Sequence, residues 1–260
     1  MKWGALLLAA IAVLPGCVTT APPLPAVEWD TLEDARQILI DRQNAIESVQ
    51  AQLKLKITTP APDEQTNTLD AALVIQGDDR FRMRAWKLNQ TVFDLTATPD
   101  GTFIVANEEM KKQAPDAEQD LAKLTDQLGK LLRGPDYRQA SMSLINPLLG
   151  SDVPTSESAI FATWPEGYTQ INQRSLVPEN SAFGSTNPSE PSVGVETNFS
   201  IYETLYWYQR VVVEGDFGTV EMTFRDVELN GELNPRAFKP SRRAVRIDTL
   251  DDEQAETMSP

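Results

Sequence analysis

The sequence predicts an α+β domain in which an antiparallel β-sheet carries an apolar face that helices cover. Three observations lead there. Between residues 51 and 107, apolar side chains recur at every second position in short runs separated by turn signals, the pattern of half-buried strands joined by hairpins. Two other segments, 29–49 and 116–133, repeat their apolar residues at helical spacing instead. A twisted meander with one apolar face must be covered by something, and two amphipathic stripes can do it.

Residues 1–16 stand outside that domain. Lys2 is followed by an apolar run over 5–14 and then by Pro15-Gly16-Cys17. A basic start, about ten apolar residues and a small residue before a cut site read as an export signal. Spanning a hydrocarbon core would take roughly twenty. Leu14-Pro15-Gly16-Cys17 resembles the lipobox of bacterial lipoproteins. The resemblance implies diacylglyceryl transfer to the Cys17 thiol, cleavage after Gly16 and anchoring of the mature chain in a membrane by its acyl chains. Residues 17–28 then form the lipidated cysteine and a Pro-rich tether. Because Val18, not Asp, follows the cysteine, the resemblance further implies an outer-membrane location facing the periplasm in a cell with two membranes.

The folded domain is expected over 29–250, followed by an acidic tail at 251–260 expected to be disordered. Asp30 or Thr31 can cap the first helix, with Glu33 or Asp34 in its first turn. Strands are expected at 51–57, 69–76, 80–88, 91–97 and 102–107. Gly77-Asp78-Asp79, Asn89-Gln90 and Pro99-Asp100-Gly101 turn the chain between them. The helix over 116–133 is stopped by Gly134-Pro135. Beyond it the expected order is a short helix within 137–149, a hairpin at 159–164 and 167–173, and a loop by composition at 178–195. A single long aromatic strand at 200–213, able to bend or bulge, comes next, then strands at 219–229 and 242–249.

Composition narrows the function. Lys and Arg total 23 against 38 Asp and Glu, a net charge of −15, which argues against nucleic-acid binding and electrostatic adhesion to anionic lipid. The chain has no histidine and a single cysteine, so no intramolecular disulfide and no Cys/His catalytic pair or zinc site can form. No Ser-x-x-Lys, Gly-x-Ser-x-Gly, phosphate loop or EF-hand loop occurs. A non-enzyme without metal or cofactor is expected. Arg80, Arg82 and Arg84 share one strand face and are expected to be solvated and paired with carboxylates on neighbouring strands. Tyr202, Tyr206, Trp207 and Tyr208 are expected to divide between both faces of their strand and to serve structure rather than form a sugar platform.

The phrases LKLKI (53–57), DAALVIQGDDRFRMRAW (70–86), FDLTATPDGTFIV (93–105) and VEMTFRDVELNGELNPRAFKP (220–240) resemble the LolA/LolB-like lipoprotein-carrier superfamily and its lipoprotein branch. So does a strand ending Asp226-Val227-Glu228-Leu229-Asn230, followed by a short segment closing on Phe238. The resemblance implies an unclosed half-barrel with helices over its concave face and an apolar cavity for acyl chains between the two. Phe81, Met83, Phe93, Leu95, Val220, Met222 and Phe224 are the candidate lining residues, pliable Met and Phe suiting such a pocket. Leu88 is the candidate apolar residue projecting from a strand-to-strand loop. The expected function is a membrane-anchored envelope lipoprotein that binds lipid or lipoprotein acyl chains. The alternative is a structural or assembly lipoprotein using the same scaffold to hold an envelope protein partner.

Overall fold

The structure, a computed structural model, describes residues 24–60, 62, 64–108, 128–129, 131–145, 159–165, 167–183, 193–216 and 218–247. The export signal, Cys17, the acidic tail and most of the expected second helix lie outside the described residues.

One helix, α1 (Leu32–Asn44), precedes the strands. Thr31 caps it reciprocally: its Oγ1 accepts from the Asp34 amide, and its own amide donates to the Asp34 carboxylate. Thirteen strands follow among the described residues: β1 (Ser48–Thr58), β2 (Thr66–Gln76), β3 (Arg80–Lys87), β4 (Gln90–Thr98), β5 (Gly101–Ala106), β6 (Ser141–Ile145), β7 (Ala159–Trp164), β8 (Gly167–Asn172), β9 (Pro178–Phe183), β10 (Val193–Tyr202), β11 (Leu205–Gly215), β12 (Gly218–Leu229) and β13 (Val245–Arg246). All lie in one antiparallel, unclosed sheet of order β13-β5-β4-β3-β2-β1-β12-β11-β10-β9-β8-β7-β6.

Register puts apolar residues in continuous rows across the strands. Ala51, Leu73, Met83, Leu95 and Ile104 stand opposite one another in turn from β1 to β5. Leu53 and Leu55 face Phe224 and Met222 on β12. These residues form the main core, joined by Leu128, Leu131 and Leu132. On the outer face Lys54 pairs with Asp70, and Arg210 ties Glu196 to Glu221 across three strands.

The helical cover is corrected. Besides α1, the described helical residues are only Glu108 and those at 128–129 and 131–133, so a sheet-dominated fold replaces the α+β arrangement. The main core runs along one face of the sheet, from β1–β5 through β12 and β11 to Val195 of β10, and Leu128, Leu131 and Leu132 are the described helical residues that join it. The stripe of α1 instead serves a second, smaller cluster, in which Ala35 and Leu39 meet Tyr137, Ile160, Ile171 and Leu176.

Individual elements differ too. The short helix expected within 137–149 is a turn at 137–139 leading into β6. The expected loop at 178–195 contains β9 and the start of β10, with 184–192 outside the described residues. Ladder pairing there overrides a loop-like composition. The single strand at 200–213 is two strands, turned at Glu203, which takes φ +57 without help from glycine or proline. The last strand shrinks to the two residues of β13.

Two devices hold the sheet's centre. Asp226 takes φ +46, and β12 fits two residues against Ala51 of β1, a bulge that twists the pair. Just beyond, Asn230 Oδ1 accepts from the amides of Glu47 and Ser48 while its Nδ2 donates to the Ala45 carbonyl. The end of β12 is thereby sewn to the link between α1 and β1. The chain then crosses the outer face to pair β13 with β5. Under it lies Arg82, which holds the Asp94 carboxylate bidentately at 2.9 and 2.7 Å and donates to the Ala237 carbonyl at 2.6 Å. The Asp94 hydrogen bonds hold the Arg82 guanidinium above its ordinary pKa.

Asn230→Gly keeps the left-handed backbone (φ +57) and removes the three side-chain bonds, and should cost about 1 kcal/mol. Asn230→Ala removes the same bonds but leaves in that conformation a residue that tolerates it less well than Asn, and should cost about 2 kcal/mol. Denaturant midpoints of the two variants against wild type check both the size and the order.

Candidate functional site

A cavity of about 1360 Å³ opens among the described residues, beyond the roughly 300–1,000 Å³ of ordinary small-molecule sites. It opens between the last turn of α1, the 132–139 segment and the concave side of the sheet. Its apolar wall includes Leu39, Ile46, Ile75, Leu132, Phe199 and Trp207.

The last turn of α1 is its bridge. Gln43 Nε2 donates to the carbonyls of Arg133 and Pro135, capping the end of the helical stretch at 131–133. Gly134 (φ +79) makes that approach possible, since an added Cβ would sit 2.8 Å from Gln43 Nε2. Arg138 reaches Asn44. On the opposite side Arg42 Nη1 donates to the carbonyls of Ser175 and Leu176 in the β8–β9 turn, and its guanidinium lies 3.9 Å from the Tyr206 ring centre. Desolvation pulls the Arg42 pKa below its ordinary value, partly opposed by Tyr206. No carboxylate among the described residues pairs with it.

The deep wall is aromatic. Trp207 packs edge-on against Tyr208, centroids 5.1 Å apart, and both rings contact Phe224 behind them. Tyr208 Oη donates to the Leu131 carbonyl at 3.1 Å. Burial pushes the Tyr137 and Tyr208 phenols well above their ordinary pKa, with Tyr208 adding to the effect on Tyr137. The Tyr137 hydroxyl and Trp207 Nε1 are buried without a hydrogen-bond partner.

Phe81, Met83, Phe93, Leu95, Val220, Met222 and Phe224 are brought together, but as closed core, and none of them lines this cavity. Leu88 is 91 % exposed, at φ +49 in the β3–β4 turn. Cys17 lies outside the described residues. Sequence reasoning missed Arg42, although it falls on the buried stripe of α1 between Leu39 and Ile46, where a charge is itself a signal. It also divided the aromatic cluster between two faces, whereas Tyr206, Trp207 and Tyr208 all line the cavity. Residues 206–208 pair one to one with 201, 200 and 199, and the register shift of this pair falls just beyond them, at Gln209. The arginine row is paired as expected in part: Arg82 with Asp94, Arg84 with Thr91 and Arg80 with Gln76. Among the described residues no cluster of three His, Cys, Asp or Glu side chains could hold a metal, and no helix is long and apolar enough to cross a membrane.

No protein-family model matches the sequence and no curated protein is significantly similar to it. Solved structures are similar in fold. A DUF1329 family protein from Desulfovibrio piger aligns with a TM-score of 0.54 at 9% identity, over 81% of this chain and 98% of that one. A LolA superfamily protein from Nitrosomonas europaea aligns with a TM-score of 0.50 at 13% identity, over 79% of this chain and 97% of that one. The chain has a LolA-like fold.

The raised phenols set an alkaline stability limit. Neutral Tyr137 and Tyr208 are favoured in the fold, so their contribution is complete below the unfolded value near 10 and drains away as pH climbs from there toward their folded values. In a phenolate-absorbance titration these two should ionise only with unfolding, and Tyr137→Phe should move the alkaline unfolding midpoint upward. Reversible ionisation of all five tyrosines in folded protein would contradict this.

Proposed function

We propose that this protein is a membrane-anchored envelope lipoprotein that holds the acyl chains of a lipid or lipoprotein in the cavity beneath α1. The observation that carries the reading is the cavity itself: about 1360 Å³ of largely apolar space on the concave side of an open, LolA-like sheet. The sequence supports the location, through the signal-like 1–16 and the lipobox-like Leu14-Pro15-Gly16-Cys17. The reading is non-enzymatic. Ser48, the one Ser, Thr or Cys among the lining residues, donates its hydroxyl to the Gly231 carbonyl at 3.2 Å rather than to a base.

Leu88 adds a second support. An exposed leucine in a left-handed conformation costs about 1–2 kcal/mol that glycine would not. Such strain at an exposed apolar tip fits a residue kept to touch a membrane or an incoming chain.

Purified domain should take up a fluorescent fatty-acid probe. Ile46→Trp, which fills the mouth, should weaken that uptake about tenfold, the equivalent of a modest overpacking cost. Wild-type protein that takes up no probe would sink the reading. In cells, Cys17→Ser should abolish metabolic labelling by palmitate and release the protein from membranes; retention of the label would refute acylation at Cys17. Leu88→Glu should leave stability within about 0.5 kcal/mol and probe uptake unchanged while reducing binding to phospholipid vesicles. Unchanged vesicle binding would remove Leu88 from the proposal.

A further inference from the structure

Arg42 is a half-buried cation on the cavity wall. Among the described residues its partners are all neutral: the Ser175 and Leu176 carbonyls and the Tyr206 ring. Glu47, Asp78 and Asp136 line the same cavity, yet none of them pairs with it. Asp136 is turned instead to the Arg138 amide and the Gln139 side chain. Taking a guanidinium out of water is costly, and carbonyl dipoles and a ring face return only part of that cost. Loss of hydration accordingly dominates its environment.

The tie to the β8–β9 turn does not explain the residue. Both carbonyl bonds come from one nitrogen, Nη1, at 2.8 and 2.6 Å. A lysine ammonium has three donors and could make both. Arginine adds the other edge of the fork, Nε with Nη2, and that edge holds no hydrogen bond among the described residues. Unlike Trp207 Nε1, which is shut off without a partner, neither of these nitrogens is closed over. Arg82 shows what the same edge does elsewhere in the protein: its Nε and Nη2 donate to the two Asp94 oxygens at 2.9 and 2.7 Å. Both donors belong to one planar guanidinium, so a single carboxylate or phosphate meets them together.

The edge is placed for an amphiphile. Leu39 and Arg42 are three residues apart and share one face of α1, Ile46 follows just past its end, and all three line the cavity. A chain lying against Leu39, Ile46 and Trp207 leaves its head beside the guanidinium. We infer that the Nε and Nη2 edge of Arg42 binds the anionic head, carboxylate or phosphate, of an amphiphile whose acyl chain occupies the cavity. The inference rests on the acyl-binding reading and deepens it: the ligand is a charged lipid rather than a neutral ester or hydrocarbon. With a net charge of −15 the chain as a whole repels anions, so a preference for one has to come from a local cation.

The test uses two matched pairs: palmitate against hexadecanol, and lysophosphatidic acid against 1-palmitoylglycerol with the same chain. Each displaces a fluorescent hydrophobic probe from the purified protein at about pH 8, where both acidic heads are charged. Wild type should bind the charged member of at least one pair about tenfold more tightly, as a charge-assisted bidentate contact does. A preference in the first pair assigns a carboxylate head, and one in the second a phosphate. Arg42→Gln should bring the ratio close to one and leave neutral binding unchanged. Arg42→Lys keeps the charge and can keep both carbonyl bonds, but lacks the fork, and should lose the preference in part. Neutral binding and circular dichroism report that each variant is folded. Should Arg42→Gln fail to fold, Arg42→Lys carries the test, and a full wild-type preference in it overturns the site. Equal binding within both pairs by wild type overturns the site while the acyl reading stands. A preference that survives Arg42→Gln overturns it as assigned. So does an Arg42→Gln protein that binds neutral and charged members equally less well, the mark of a merely structural tie. Binding of none of the four overturns the acyl reading and the site together.

Discussion

The structure depends on the antiparallel register of β1 with β2 and β12. Side chains alternate faces with a period of two, so a slip of one residue would turn the whole apolar set of a strand outward. The rows that run from Phe224 and Met222 through Leu53 and Leu55, and from Ala51 through Leu73, Met83, Leu95 and Ile104, exist only in the observed register. The bulge at Asp226 and the Asn230 side chain pin that register at one end of the sheet's central pair. Asn suits the place for two reasons: it tolerates φ +57, and its amide offers an acceptor and a donor at once to the open backbone between α1 and β1.

The cavity follows from how the concave side is divided. The main core is filled by sheet residues of β1–β5, β11 and β12 together with Leu128, Leu131 and Leu132, whereas α1 packs toward β6–β8 in a separate cluster. Two cores with different partners cannot close on each other completely, and the seam between them is the cavity. The last turn of α1 crosses that seam. Its bonds to the carbonyls of Arg133, Pro135, Ser175 and Leu176 are few, specific and polar, while the space beneath stays apolar. A bridge of this kind holds the walls apart without filling the gap, which a bulky apolar helix face would have done.

Much of the meander was legible because β1–β5 obey period two and their turns are marked by Gly77, Asn89 and Gly101. The α1 cap was legible for the same local reason. The second half was harder. The Glu203 turn carries no glycine or proline, and β9 has the composition of a loop, so nothing local announces either. The candidate lining residues were chosen by face, which is correct for burial. Face alone cannot separate a side chain opposite a packed strand from one opposite a gap. That distinction lies in where α1 docks, a long-range property, and it moved the site from Phe224 to Trp207, the ring packed against it. Arg42 was the one local clue, a charge on a buried stripe.

Leu88 and the cavity lie at opposite ends of β3. The Gly77-Asp78 turn rims the cavity, and the β3–β4 turn that holds Leu88 lies at the other end of β3, eight residues or about 25 Å away. The N-terminal approach to α1 belongs to the cavity side: the Val27 amide donates to the Arg174 carbonyl and Trp29 Nε1 to the Gln173 carbonyl, beside the Ser175 and Leu176 carbonyls that hold Arg42. With Cys17 acylated as proposed, the anchored chain enters the domain beside the 173–176 turn. On the proposed reading the cavity would retain acyl chains while Leu88, at the far end of β3, would be free to touch a membrane or an incoming chain, and the distance along β3 would keep the two roles apart.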